Sequence, residues 1–238
     1  MARAPATWRD AAEAGGLHVI DIATREIDIP LSALGWQQSQ SLGHWFGELP
    51  PAKQPHVLLC SPYVRAVETA GLIVHSAGFN GAAKLRIDER LREKEFGILD
   101  RLTPLGISNK YPDLHQQRGH VGKFYFSPPG GKSWCDVILR LRSLLEMMTR
   151  EYVGQCVLVV AHQVIVNCRR YLIEQMDEAI ILGIDRLGDV PNGSVTSYRA
   201  TVNADPGSTL DMTNFLAPRL QESTPVTTEP DAPAGAKP

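Results

Sequence analysis

Two short apolar runs, "HVLLC" at residues 56–60 and "CVLVVAH" at residues 156–162, constrain the fold of this chain most strongly. Neither run alternates polar with apolar residues, so neither suits a sheet with one face in water. Both read as strands buried on both faces, the signature of a mostly parallel sheet. Each is followed by a helical pattern, "YVRAVETAGLIVHSAG" after the first and "VIVNCRRYLIEQM" after the second. Two further helices are predicted. Residues 34–49 place Leu34, Leu42, Trp45, Phe46 and Leu49 on one stripe. "GGKSWCDVILRLRSLLEMMTREY" keeps Trp134, Val137, Ile138, Leu141, Leu144, Leu145 and Met148 at helical spacing behind Ser133 as N-cap. "SVTSYRA" reads as an edge strand. The expected class is α/β, a three-layer sandwich with helices on both faces of a mostly parallel sheet.

The length, 238 residues, suits one large domain or one domain with a tail. Apolar residues make up 43% of the chain, enough for a core of that size. The formal net charge of -2 gives no electrostatic case for nucleic acid or an anionic membrane as partner. No apolar run reaches the length of a membrane span, and the first residues show no signal-peptide pattern. Cys60, Cys135, Cys156 and Cys168 are scattered, without a CxxC pair, and read as reduced thiols of a cytoplasmic protein. From residue 205 the composition shifts to Pro, Ser and Thr, and residues 205–238 read as a disordered tail.

In an open parallel sheet, ligands bind beyond the carboxyl ends of the strands. The first strand ends in "CSPYVRAVETA", which puts Arg65 one turn into a helix. The second ends in "VVAHQ", which puts His162 at the strand tip. A charged loop, "ERLREKEFG", carries Glu93 ahead of Gly97. An arginine fork grips phosphate oxygens, an imidazole donates to developing negative charge, and a carboxylic acid protonates a leaving oxygen. Taken singly, each residue has an ordinary structural explanation. Residue type, strand end and order together are more specific.

That combination, with "PPGGKSWCDVILRLRSLL" and "PLSALGWQQSQSLGHWF", resembles the histidine phosphatase superfamily, the phosphoglycerate-mutase-like fold, over residues 28–198. The resemblance implies a metal-free, cofactor-free site that transfers phosphate through a phosphohistidine. It assigns Arg65 as the second phosphate-clamping arginine, Glu93 as the acid and His162 as the second histidine. Ser61 matches the serine that opens the arginine helix. The fructose-2,6-bisphosphatase branch is the nearest in flavour, through "KFYFSPPGGKSWCD" and "AHQ", and leaves Tyr125 and Gln163 as substrate contacts. The match breaks where that branch has cations for a second phosphate: Ser127 and Asn167 stand in their places, and Lys132 replaces a glutamate. The implied substrate is a small phosphorylated metabolite, a monoester rather than a bisphosphate.

No Arg-His-Gly, the nucleophile motif of that family, occurs in the chain. His18 and His44 both precede the first apolar run without that motif, and His18 reads as a loop residue. The family's first, central strand is also missing from the pattern. The opening "MARAPATW" offers a cause. The codons CAT GGC GAG AGC GCC GGC AAC GTG G, which spell the family's His-Gly-Glu-Ser-Ala-Gly-Asn-Val, read one base later as Met-Ala-Arg-Ala-Pro-Ala-Thr-Trp. Residues 1–27 are accordingly expected to be a remnant of the nucleophile loop and its connection, with the phosphatase-like domain at 28–204. Such a chain is expected to be weakly active or inactive, and poorly stable because two strands would lack a neighbour. Two alternatives stand beside this reading: a non-catalytic phosphate-binding protein, and a phosphoglycerate-mutase-type transferase. The oligomeric state has no signature in the sequence.

Overall fold

The computed structural model describes residues 12, 14–21, 24–79, 83–187, 190–201 and 207–218. Strand β1 (Val57–Cys60) lies at the centre of a three-stranded parallel sheet, between β2 (Lys84–Ile87) and β3 (Val157–Val160). Val57 is in register with Lys84 on one side and Val157 on the other. All four β1 side chains are buried, and they alternate between two cores. Val57 and Leu59 face a cluster that includes Trp134, Val137, Leu141, Ile165 and Ile181. Leu58 and Cys60 face a cluster that includes Leu42, Phe46, Tyr63, Ala66 and Ile73. The expected three layers follow from this alternation. Helices α1 (Ala33–Glu48) and α2 (Val64–Ser76) cover one face. Helices α5 (Trp134–Glu151), α6 (Gln163–Ile173) and α7 (Glu178–Leu187) cover the other.

The strong helix of the sequence, α5, begins as its N-cap requires. Ser133 Oγ accepts the Asp136 N–H and the Asp136 carboxylate accepts the Ser133 N–H, a reciprocal capping box. In sequence, two short helices separate β2 from α5, α3 (Pro104–Lys110) and α4 (Pro112–Val121), each opening on proline.

Three expectations are corrected. "SVTSYRA" is not an edge of the parallel sheet. Strand β4 (Val195–Thr201) pairs with β5 (Gly207–Phe215) in a separate antiparallel hairpin. The boundary drawn for the tail at 205 moves accordingly, because residues 207–215 are a strand, and Trp45 packs 5.5 Å from Phe215. Backbone pairing holds a segment too polar to announce itself by hydrophobicity. The third correction concerns residues 17–21, part of the 1–27 segment expected to stand apart from the domain. They are tied into it: Val19 bridges Leu102, and Thr103 Oγ1 donates to the Leu17 carbonyl. His18 is a loop residue, as expected, with its carbonyl over Gly106, where an added Cβ would lie 1.9 Å from that oxygen. Among the described residues, β3 is paired on one side alone. The frame-shifted reading of residues 1–8 and the disorder expected of 219–238 lie outside the described residues.

Candidate active site

Ser61 and His162 are carried at the carboxyl ends of neighbouring strands, β1 and β3, and the parallel register brings them together. His162 Nε2 lies 2.8 Å from Ser61 Oγ, and both residues are buried. Glu93, also buried, approaches from the loop after β2, its Oε2 3.9 Å from His162 Nδ1. Its Oε1 accepts the Lys94 N–H at 2.7 Å. Tyr63 fills the space between these groups and α2. Its ring packs edge-on to His162, with centroids 4.9 Å apart, and the Arg65 guanidinium lies 4.7 Å from its centroid. Four of the six residues singled out in the sequence thus converge on one place. Gln163 adjoins them, buried at the first position of α6. Tyr125 is held elsewhere: it is exposed, its ring on Phe124 and its hydroxyl bonded to Glu178 of α7, which raises its pKa.

The imidazole is neutral. Burial first, then the positive charges of Arg65 and Arg140, hold the His162 pKa well below its ordinary value of 6.5. The contact with Glu93 is therefore not an ion pair. A consequence for stability follows. Below about pH 6.5 the unfolded chain protonates this histidine and the folded chain does not, so stability falls as the pH falls. The melting temperature is expected to drop between pH 7.5 and 5, and to drop less in His162→Gln. Parallel pH profiles for the two proteins would contradict the assignment.

Three cations around Glu93 have no sequence signal of their own. Arg140, projecting from α5, donates through Nη2 to the carbonyl oxygens of Arg92 and Glu93 and so pins the loop. Lys94 is buried with its ammonium 4.2 Å from the Phe96 ring centroid. Burial, aided by the charges of Arg118 and Lys123, lowers its pKa to about 8 against the opposing pull of Glu93. Lys123 in turn pairs with Asp185 of α7 at 2.5 Å. Gly97 closes the loop at φ +55°, where a Cβ would lie 2.1 Å from the Pro129 carbonyl oxygen. The "PPGG" turn is thereby seated on the Glu93 loop, with Lys132 N–H donating to the Glu95 carbonyl. Asn167, where a second-phosphate arginine was expected, is buried in α6 with no hydrogen-bond partner for its Nδ2. No cluster of His, Cys, Asp and Glu suited to a metal ion occurs among the described residues.

The profile of the histidine phosphatase superfamily (branch 1) matches residues 17–203, and the chain belongs to that superfamily. The bifunctional protein Rv2228c of Mycobacterium tuberculosis is 31% identical over 56% of this chain and 34% of its own length. The 6-phosphofructo-2-kinase/fructose-2,6-bisphosphatase of Caenorhabditis elegans is 30% identical over 59% of this chain and 28% of its own. The chain thus spans about a third of the length of these curated relatives. Among solved structures, the mycobacterial glucosyl-3-phosphoglycerate phosphatase Rv2419c in complex with inorganic phosphate superposes with a TM-score of 0.65. It is 25% identical and covers 83% of this chain and 93% of its own. No helix among the described residues is long and apolar enough to cross a membrane.

Proposed function

We propose that Ser61, Arg65, Glu93 and His162 form the phosphate-holding part of a histidine-phosphatase site, and that these 238 residues bind a small phosphate monoester with little or no turnover. The observation that carries this reading is the buried meeting of His162, Ser61 and Glu93 at two adjacent strand ends, with Arg65 against the same Tyr63 ring. By family, the chemistry is hydrolysis of a phosphomonoester. Arg65 grips the phosphate oxygens, and the neutral His162 takes up a proton as the dianion arrives, since a nearby negative charge raises a histidine pKa. Glu93 is the carboxyl group placed to serve the leaving oxygen. The positive charges of Lys94 and Arg140 beside Glu93 favour an anionic ligand. The covalent route needs the histidine of an Arg-His-Gly motif, which the sequence does not contain. The four free thiols support a cytoplasmic setting.

Titration of the full chain with inorganic phosphate, followed by calorimetry in buffers of different ionisation enthalpy, tests the reading. Saturable binding with net proton uptake is expected, together with p-nitrophenyl phosphate hydrolysis at or near the buffer rate. Sustained turnover, or a phosphorylated histidine in the denatured protein, would overturn the proposal of a binding site without a nucleophile.

A further inference from the structure

Arg65 is already engaged by an anion of the protein itself. Its Nη1 donates to the Glu26 carbonyl oxygen at 3.0 Å and its Nη2 to Glu26 Oε1 at 3.3 Å. The side chains of the pair are 15% and 29% exposed, so solvent screens the contact only in part. Glu26 sits in a short turn, Glu26–Asp28, within residues 24–31, and this segment is strapped across the site at three points. Arg101 Nη2 donates to the Thr24 carbonyl at 2.9 Å. Arg65 holds Glu26. Glu68, one turn beyond Arg65 on α2, accepts the Leu31 N–H through Oε2 at 2.7 Å.

A carboxylate oxygen and a phosphate oxygen make the same kind of bond to a guanidinium N–H. Glu26 also neutralises the one arginine that α2 presents beside His162, so an approaching phosphate meets a compensated charge. We infer that Glu26 is a built-in competitor for the anion site: its carboxylate occupies Arg65 Nη2, and a phosphate ligand takes that nitrogen only by displacing it. The inference rests on the phosphate-binding reading of Arg65 and deepens it into a control of that site.

The strap supplies its own control. Asp28 belongs to the same turn and carries the same charge, but it pairs with Arg25 at 2.6 Å, not with Arg65. Inorganic phosphate is titrated into the full chain and into the Glu26→Gln and Asp28→Asn variants at fixed ionic strength. Glu26→Gln is expected to bind phosphate about tenfold more tightly, the scale of one recovered charge-assisted hydrogen bond. Asp28→Asn is expected to change affinity less than about twofold, as a screened charge does. If Glu26→Gln binds equally or more weakly, Glu26 orients Arg65 rather than competing for it, and the inference fails while the phosphate site stands. Equal gains in the two variants would also sink it, by reducing the effect to net charge. If none of the three proteins binds phosphate, both the inference and the phosphate site are overturned.

Discussion

Arg65→Met is expected to weaken phosphate binding about 100-fold or more. Two charge-assisted hydrogen bonds, each contributing on the order of 1.5 kcal/mol or more, disappear with the guanidinium. Methionine keeps the aliphatic stem against Tyr63, whose ring lies 4.7 Å from the Arg65 guanidinium, so packing is largely preserved. The substitution also leaves the Glu26 carboxylate without this partner, and its charge then repels the incoming anion. The loss is expected to survive in the Glu26→Gln background, where that repulsion is absent. Calorimetric titration of the single and double variants separates the lost grip from the added repulsion. Retention of most of the wild-type affinity in Arg65→Met would move the anion site away from α2, toward the cations around Glu93.

The candidate cluster is legible because Ser61 and His162 sit at strand ends, and strand ends are visible as the points where an apolar run stops. Ser61 follows β1, His162 follows β3, and parallel pairing brings the two ends level. Glu93 was legible only as part of a motif, since nothing in its neighbours distinguishes it from a solvated charge. Glu26 was not legible. It meets Arg65 across a separation of 39 residues, through a three-residue turn with no periodic pattern. Arg140 escaped for a similar reason: on α5 it reads as one polar position of an amphipathic helix, and only the packing aims it at the Glu93 loop. Tyr125, named through the family resemblance, is exposed with its ring on Phe124.

The same physics sorts the secondary structure. Strands β1 and β3 and helices α5 and α6 follow from continuous apolar runs and helical stripes. Strand β2 is four residues, "KLRI", all exposed at the sheet edge, so burial imposes no pattern on it. Helix α4 carries no buried residue, leaving Pro112 at its start as the one local cue. Helix α7 was passed over although "EAIILGIDRL" has an apolar stripe and buries Ile181. Strand β5 exists through its pairing with β4, a long-range bond that composition does not encode.

Trp134→Ala is expected to cost about 3–5 kcal/mol of stability, the usual range for emptying a buried aromatic site. Trp134 is fully buried at the first turn of α5, where the Ser133 cap fixes the start of the helix. Its ring lies 6.3 Å from that of Phe124, and the Lys123 ammonium lies 5.5 Å from its centroid. The indole therefore joins the sheet core to the segment that carries Lys123 and Phe124. Its Nε1 has no hydrogen-bond partner, so the loss is one of packing and not of a polar bond. Trp134→Phe, which keeps an aromatic ring and removes no hydrogen bond, is expected to cost less than half as much. A domain of this size has about 5–15 kcal/mol of net stability, so a loss on that scale removes a large share of it. Urea unfolding is expected to show a large drop in midpoint for Trp134→Ala with little change in slope, and the variant is expected to be substantially unfolded at 37 °C. A midpoint within experimental error of the wild type would mean that the indole is not a member of the core.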